Sequence, residues 1–192
     1  MAKTVNKKDL NLAILKSGII EKRARQIASD KLNEEKFNLI QNFANHPVST
    51  EIAAGPNAGN SSGTLGGYGN LFSFIGFSAG QDPVKDWINL LQNKIKILKS
   101  KESINQNNLV YSFKVNGIST ADLSAAKMPW ESGKSWILAI ERGISGFSFY
   151  ISKALGRSGG GIQSNHPVRG KNYSPVNYWT SMWENFVKKL NN

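Results

Sequence analysis

Leu109-Val110-Tyr111-Ser112-Phe113-Lys114-Val115 decides the fold class of this chain. Leu109, Tyr111, Phe113 and Val115 fall on one side, Ser112 and Lys114 on the other. That two-residue period belongs to a strand with one face on a core. Asn105 to Asn108 precedes it as a turn, and Asn116-Gly117 follows it as another. Further along, Ser119 to Lys127 reads as a helical turn, with Ser119 and Asp122 at capping spacing. Ser135 to Glu141 reads as a second strand with Trp136, Leu138 and Ile140 on one face, ended by Gly143 and Gly146. Phe147 to Ile151 reads as a short aromatic strand. In the other direction lies a helix opened by Asp82 as N-cap and Pro83 at its first position. Val84, Trp87, Leu91, Ile95 and Leu98 form its apolar stripe, which fades near Ser100. Leu71 to Phe77 is short, apolar and aromatic, and is expected to be a buried strand.

Helices occupy both ends. Residues 7–44 carry apolar side chains at Leu12, Leu15, Ile19, Ile27, Phe37, Ile40 and Phe43, mostly three, four or seven apart. Lys22, Arg23, Arg25, Lys31, Glu34, Glu35 and Lys36 fill the face between them. Gly18 interrupts the run, and Asn45-His46-Pro47 ends it, because the residue before a proline avoids the helical region. A helix this long with so little apolar content does not lie wholly on its own core and is a candidate for packing on another chain. The last helix begins at Pro175 behind Ser174, with Tyr178, Met182 and Phe186 at intervals of four and Trp179, Trp183 and Leu190 widening the stripe. Glycine-rich loops are expected to be flexible at 53–70 and 156–174.

The expected fold is therefore α+β: a long N-terminal helix, a small antiparallel β-sheet of three to four strands, and helices packed on one face, the C-terminal helix among them. Residues 1–45 form the helix or arm and residues 46–192 the α+β domain. A chain of 192 residues suits such an arrangement, and a compact one buries roughly 70% of its unfolded surface. The absence of cysteine removes disulfides and thiolate metal sites. Met1 to Asn11 is basic and polar with no apolar stretch after it, and no run approaches the roughly 20 apolar residues of a membrane span. The net charge of +11 is uneven: +4 over residues 1–45, +2 over 46–149 and +5 over 150–192. Such a balance favours nucleic acid or another anionic neighbour.

Catalytic chemistry is poorly provided for. The two histidines, His46 and His166, each precede a proline in a loop, and none of Ser61, Ser62 and Ser158 lies in a Gly-x-Ser-x-Gly elbow. Glu141 is a lone carboxylate better suited to a structural role. Asp82 and Asp86 share a helix face, but two carboxylates make a poor metal site. Neither glycine cluster closes on the Lys-Ser or Lys-Thr that a phosphate loop requires. The expectation is a protein without enzymatic activity, cofactor or metal.

Contacts with partners are better provided for. Arg157, Arg169 and Lys171 share one loop with His166 and Tyr173, and suit phosphates without reading bases. No helix-turn-helix, zinc finger or RNP aromatic motif accompanies them. Lys22 and Arg25 on the first helix, Leu65 and Tyr68 in the first loop, and Trp179 and Trp183 on the last helix are the candidate subunit contacts.

Four segments, in this order, carry a resemblance. A long first helix precedes Ser62-Gly63-Thr64-Leu65, which leads into Asn70-Leu71-Phe72-Ser73-Phe74-Ile75. Trp136-Ile137-Leu138-Ala139-Ile140 runs into Glu141-Arg142-Gly143-Ile144-Ser145, and Ser174-Pro175-Val176-Asn177-Tyr178-Trp179 opens the last helix. This order resembles the tail-completion, or neck, proteins of long-tailed bacteriophages. The longer first loop and the extra loop at 156–174 depart from that pattern. The resemblance implies a virion protein that forms a homo-oligomeric ring between head connector and tail, without catalysis. Its partners would be copies of itself and neighbouring connector and tail proteins, with non-specific contact to packaged DNA. It would assemble in the host cytoplasm and reside in the neck. The alternative is a non-specific nucleic-acid-binding accessory protein.

Overall fold

The first helix begins where a glycine lets the backbone turn. The computed structural model describes residues 10, 18–65, 70–105, 108–129, 131–142 and 176–191. Gly18 adopts φ 64°, a left-handed conformation that disfavours any residue with a Cβ, and α1 (Ile19–Ala44) starts directly after it. Leu32, Leu39 and Phe43 bury one side of α1. His46-Pro47 separates it from α2 (Pro47–Ala53), a helix that was not among the expected elements. The His46 ring caps α2, with Nδ1 accepting from the Val48 amide at 3.2 Å. A 3-10 turn follows at Gly55–Asn57.

Leu71–Ile75, expected as a strand, is the short helix α3. Its limits are set locally: the Asn70 side chain accepts from the Ser73 amide at 2.9 Å, and Gly76 turns the chain away at φ 90°. An apolar run this short fits either a buried strand or a buried helical turn, so periodicity alone does not separate them. Next, α4 (Pro83–Lys94) carries the expected cap, with Asp82 Oδ1 accepting from the Lys85 amide at 3.0 Å.

α4 stops earlier than its apolar stripe suggested. Its last carbonyls are taken by tertiary partners: the Asn116 amide donates to the Lys94 carbonyl at 2.9 Å and Lys36 Nζ to the Ile95 carbonyl at 3.4 Å. The chain then enters β1 (Lys96–Asn105), which pairs antiparallel with β2 (Asn108–Asn116), the strand of the opening heptapeptide. Asn105 stands opposite Asn108, and the middle of the expected turn, residues 106–107, lies outside the described residues. The Ser119–Asp122 capping box forms and starts α5 (Thr120–Ala125). Asp122 also meets Lys94 Nζ at 2.8 Å, and the Lys94 and Ser119 hydrogen bonds hold its carboxyl down to about 2.

A second ribbon pairs β3 (Lys127–Met128) with β4 (Glu131–Ser135). Directly after it, Trp136–Arg142 is the helix α6 and not the expected strand. Trp136, Ile137 and Ile140 are its buried residues, a helical spacing that coexists in this run with the two-residue spacing of Trp136, Leu138 and Ile140. The last helix, α7 (Trp179–Asn191), starts four residues after Pro175. Ser174, Pro175, the expected strand at Phe147–Ile151 and the loop at 156–174 lie outside the described residues, as do most of residues 1–17.

The architecture is thus mixed α and β, with a long first helix and a C-terminal helix as expected. Among the described residues the strands form two separate two-stranded antiparallel ribbons, not one sheet of three to four strands. Helices α1, α2, α3, α4, α6 and α7 all contribute to one apolar cluster, so the long helix shares its inner side with the rest of the fold. Tyr178 stacks on Phe43 at 5.5 Å, and Trp179 meets the Trp87 ring edge-on at 5.2 Å.

Two polar side chains of α2 work inside this core. Ser49 Oγ and the Tyr178 hydroxyl hydrogen-bond at 2.6 Å, and burial raises the Tyr178 pKa, which keeps that phenol protonated. Glu51 is 1% exposed; Oε1 accepts from the Leu71 amide at 2.7 Å and Oε2 from the Ser62 amide at 2.8 Å. One buried carboxylate thereby fixes the start of α3 and the far side of the glycine-rich loop.

Glu51→Ala strands both amides and should lower the unfolding free energy by about 2–6 kcal/mol, while Glu51→Gln keeps one acceptor oxygen and should cost about 1–3 kcal/mol. Urea denaturation reads both, and an unchanged midpoint for the alanine variant would contradict this role. Burial lowers the His46 pKa from 6.5. The unfolded chain therefore takes up a proton that the folded chain resists, so stability should fall as pH drops through 6.5 and level off below the folded pKa. His46→Asn keeps a capping acceptor and should flatten that part of the stability–pH curve.

Candidate functional site

The outward side of α1 carries four large apolar side chains among its polar ones. Ile19 and Phe37 are about five turns apart and lie on one line, with Ile20 and Ile27 beside them at seven-residue spacing. Their exposures are 72%, 61%, 41% and 57% respectively. At 100° per residue this strip lies away from Leu32, Leu39 and Phe43, so α1 exposes apolar side chains on the side opposite the core. Arg23 and Glu34 fall within the open strip, as does Asp30, which accepts from Gln26 Nε2 at 2.8 Å. Of the expected contact residues, Lys22 is exposed and flanks it, whereas Arg25, also exposed, falls on the line of Phe43 on the other side of the helix.

The β1–β2 ribbon also has two unlike faces. Its inner face carries Ile97, Ser100, Glu102, Tyr111, Phe113 and Val115 in register. Ser100 Oγ donates to Glu21 Oε1 of α1 at 3.2 Å. Desolvation first, then the charges of Glu102 and Glu21, pushes the Tyr111 phenol above its ordinary 10.0. The outer face carries Lys96, Lys99, Lys101 and Lys114, all exposed. A bulge creates this face: the register shifts between Ile97 and Lys99, leaving Leu98 as an extra residue. Were Leu98 paired in the ladder instead, Lys99 and Lys101 would point inward beside Ile97, since a one-residue slip exchanges the faces of a strand. Lys99 stands directly opposite Lys114. Among the described residues none of the four lysines makes an ion pair.

A groove of about 410 Å³ runs between α1, the inner face of the ribbon and α7, with Ile97, Phe113, Trp183 and Val187 on its walls. The Lys189–Glu35 ion pair, at 3.4 Å, joins α7 to α1. Trp183 is half-buried, stacks on Trp179 at 5.7 Å, and lies 3.0 Å from where a Cβ on Gly117 would stand. Of the expected subunit contacts, Trp183 therefore has a partly free ring. Leu65 and Trp179, 6% and 2% exposed, are inside the fold, where they offer a neighbour nothing. Tyr68 and the expected DNA-facing Arg157, Arg169 and Lys171 lie outside the described residues.

The remaining carboxylates and polar groups hold structure. Glu141 accepts from the Thr180 amide and, at 2.7 Å, from Thr180 Oγ1, and so anchors the first turn of α7. A cavity of about 250 Å³ between Phe77, Trp87 and Trp136 has Asp86, Gln81 and Lys127 on its lining. Among the described residues no three His, Cys, Asp or Glu side chains are grouped as metal ligands, and no helix is long and apolar enough to cross a membrane.

Lys99→Glu turns the like-charged cross-strand pair into an opposite-charged one and should raise stability by roughly 0.2–1 kcal/mol. Thermal unfolding at low salt reads the gain, which should shrink as salt is added; a destabilised variant would argue against the register described above. No family model, curated protein or solved structure matches this chain.

Proposed function

We propose that this chain is a structural assembly protein that self-associates through the outer side of α1, and that its setting is the neck of a tailed phage. There, copies would form a ring joining the head connector to the tail. One observation carries the self-association: Ile19, Ile20, Ile27 and Phe37 are held in water on a regular helix whose other side already serves the core. Burying a large apolar side chain is worth about 1.5–3 kcal/mol. Four of them offset an association cost of about 4–15 kcal/mol only narrowly. A ring changes this arithmetic, because every copy makes the contact twice with no free end. A ring contact joins two different patches, and the groove beside Trp183 and the exposed Val187 is the apolar counterpart that the same chain offers.

The phage setting is supported by the order of sequence segments. The long first helix and the C-terminal helix keep their places in that order, whereas Leu71–Ile75 and Trp136–Arg142 enter it as helices. The setting and the self-association are therefore tested separately.

Ile27→Asp with Phe37→Asp should convert the assembled protein to monomer by light scattering while leaving the circular dichroism spectrum intact. Because the chain has no cysteine, Phe37→Cys paired with Val187→Cys gives a clean crosslink readout between copies. Disulfide-linked ladders support the ring contact; wild-type protein that is monomeric both alone and with purified connector overturns it. Mass spectrometry of purified particles tests the setting, and absence of the chain from them removes the neck assignment.

A further inference from the structure

We propose that the outer face of the β1–β2 ribbon binds the phosphate backbone of double-stranded DNA. This surface is distinct from the loop of Arg157, Arg169 and Lys171, and it does not rest on self-association, since a monomer presents the same face.

Four lysines share the outer face. At the bulge Leu98 is left out of the ladder, and pairing resumes with Lys99 and Lys101 on the side of Lys96 and Lys114. The result is unfavourable in the free protein, because Lys99 and Lys114 face each other across the ladder. A bound polyanion relieves that repulsion. Charge is also segregated between the faces. Glu102 lies on the inner face with Tyr111, so no carboxylate of the ribbon competes with a phosphate for the outer lysines. Among the described residues these lysines have no ion-pair partner to give up.

Shape and composition select among anionic polymers. Lys99 and Lys101 are two residues apart, about 7 Å along the strand, and Lys114 is about 5 Å from Lys99 across it. Small side chains border Lys101 on this face, Ser112 across the ladder and Ser103 along the strand, so a phosphate ridge can approach closely. Among the described residues the outer face carries no aromatic ring on which unpaired bases would stack. Its apolar residues are Leu98 and Val110, too little for insertion into a lipid interface. A two-stranded ribbon suits the major groove of B-form DNA, whereas the deep, narrow major groove of A-form RNA excludes it.

Fluorescence anisotropy with a labelled random-sequence DNA duplex, titrated across salt, tests the proposal. The wild type should show a linear fall of log affinity with log salt. The variant carrying Lys96→Gln, Lys99→Gln, Lys101→Gln and Lys114→Gln should lose about 0.9 of slope for each contact, roughly 3.6 in all. Lys101→Gln alone should lose about 0.9, which keeps the test decisive if the fourfold variant folds poorly. Duplexes of different sequence should bind alike. An unchanged slope in the ribbon variants overturns the proposal. So does complete loss of the slope in the Arg157→Ala, Arg169→Ala, Lys171→Ala variant, or tighter binding to single-stranded RNA or phosphatidylserine vesicles than to the duplex.

Discussion

A carboxylate in an apolar interior must be given donors or it will not stay folded in, and the Glu51 side chain is where this fold meets that demand. Its two oxygens take the amides of Leu71 and Ser62. The same seven-residue helix sends Ser49 to the Tyr178 hydroxyl and buries Val48 and Ile52. A short helix thus joins three distant parts of the chain: the start of α3, the glycine-rich loop and the residue just before α7. The described part of that loop is consequently held in place, with Asn70 Nδ2 also donating to the Pro56 carbonyl at 2.8 Å.

What the sequence made legible was the chemistry of termini and turns. The Asp82 cap, the Ser119–Asp122 box and the alternation of Tyr111 to Val115 all fold as their local signals direct. These signals act over four residues and need no partner. The misread segments are those that local pattern leaves open. Leu71–Ile75 and Trp136–Arg142 are apolar at both the strand and the helix period, and the caps of the first, Asn70 and Gly76, were the cue available in the sequence. β1 was hidden for another reason. Ile95 and Leu98 continue a helical stripe, but the exposed β2 ladder and the side chains of Asn116 and Lys36 end the helix from outside.

The surfaces were less legible than the fold. The sparse apolar content of the first helix raised the expectation of packing on another chain; what α1 shows is Ile19, Ile20, Ile27 and Phe37 exposed on the side away from the core. Charge clusters read in linear order led to Lys22, Arg25 and a loop. The lysine face of the ribbon escapes such a reading, because Lys96, Lys99, Lys101 and Lys114 share a side only through pairing and an irregular register. Trp179 shows the converse: an aromatic-rich helix suggests an interface, yet the ring fills the interior against Trp87 and Phe43.

The extra residue at Leu98 has a consequence for how such a surface persists in evolution. Acquiring four aligned lysines by substitution takes several independent changes, most of them neutral or harmful alone. A bulge absorbs an extra codon in place: the added side chain is left out of the ladder, and the residues beyond it keep the faces they would have without it. In a lineage lacking that codon, Lys99 would follow Ile97 in regular alternation, and the lysines, Ser100 and Glu102 would keep the faces they have here. The ribbon's character is therefore buffered against length variation at this point, and closely related chains that differ by this one residue would carry the same electrostatic coat.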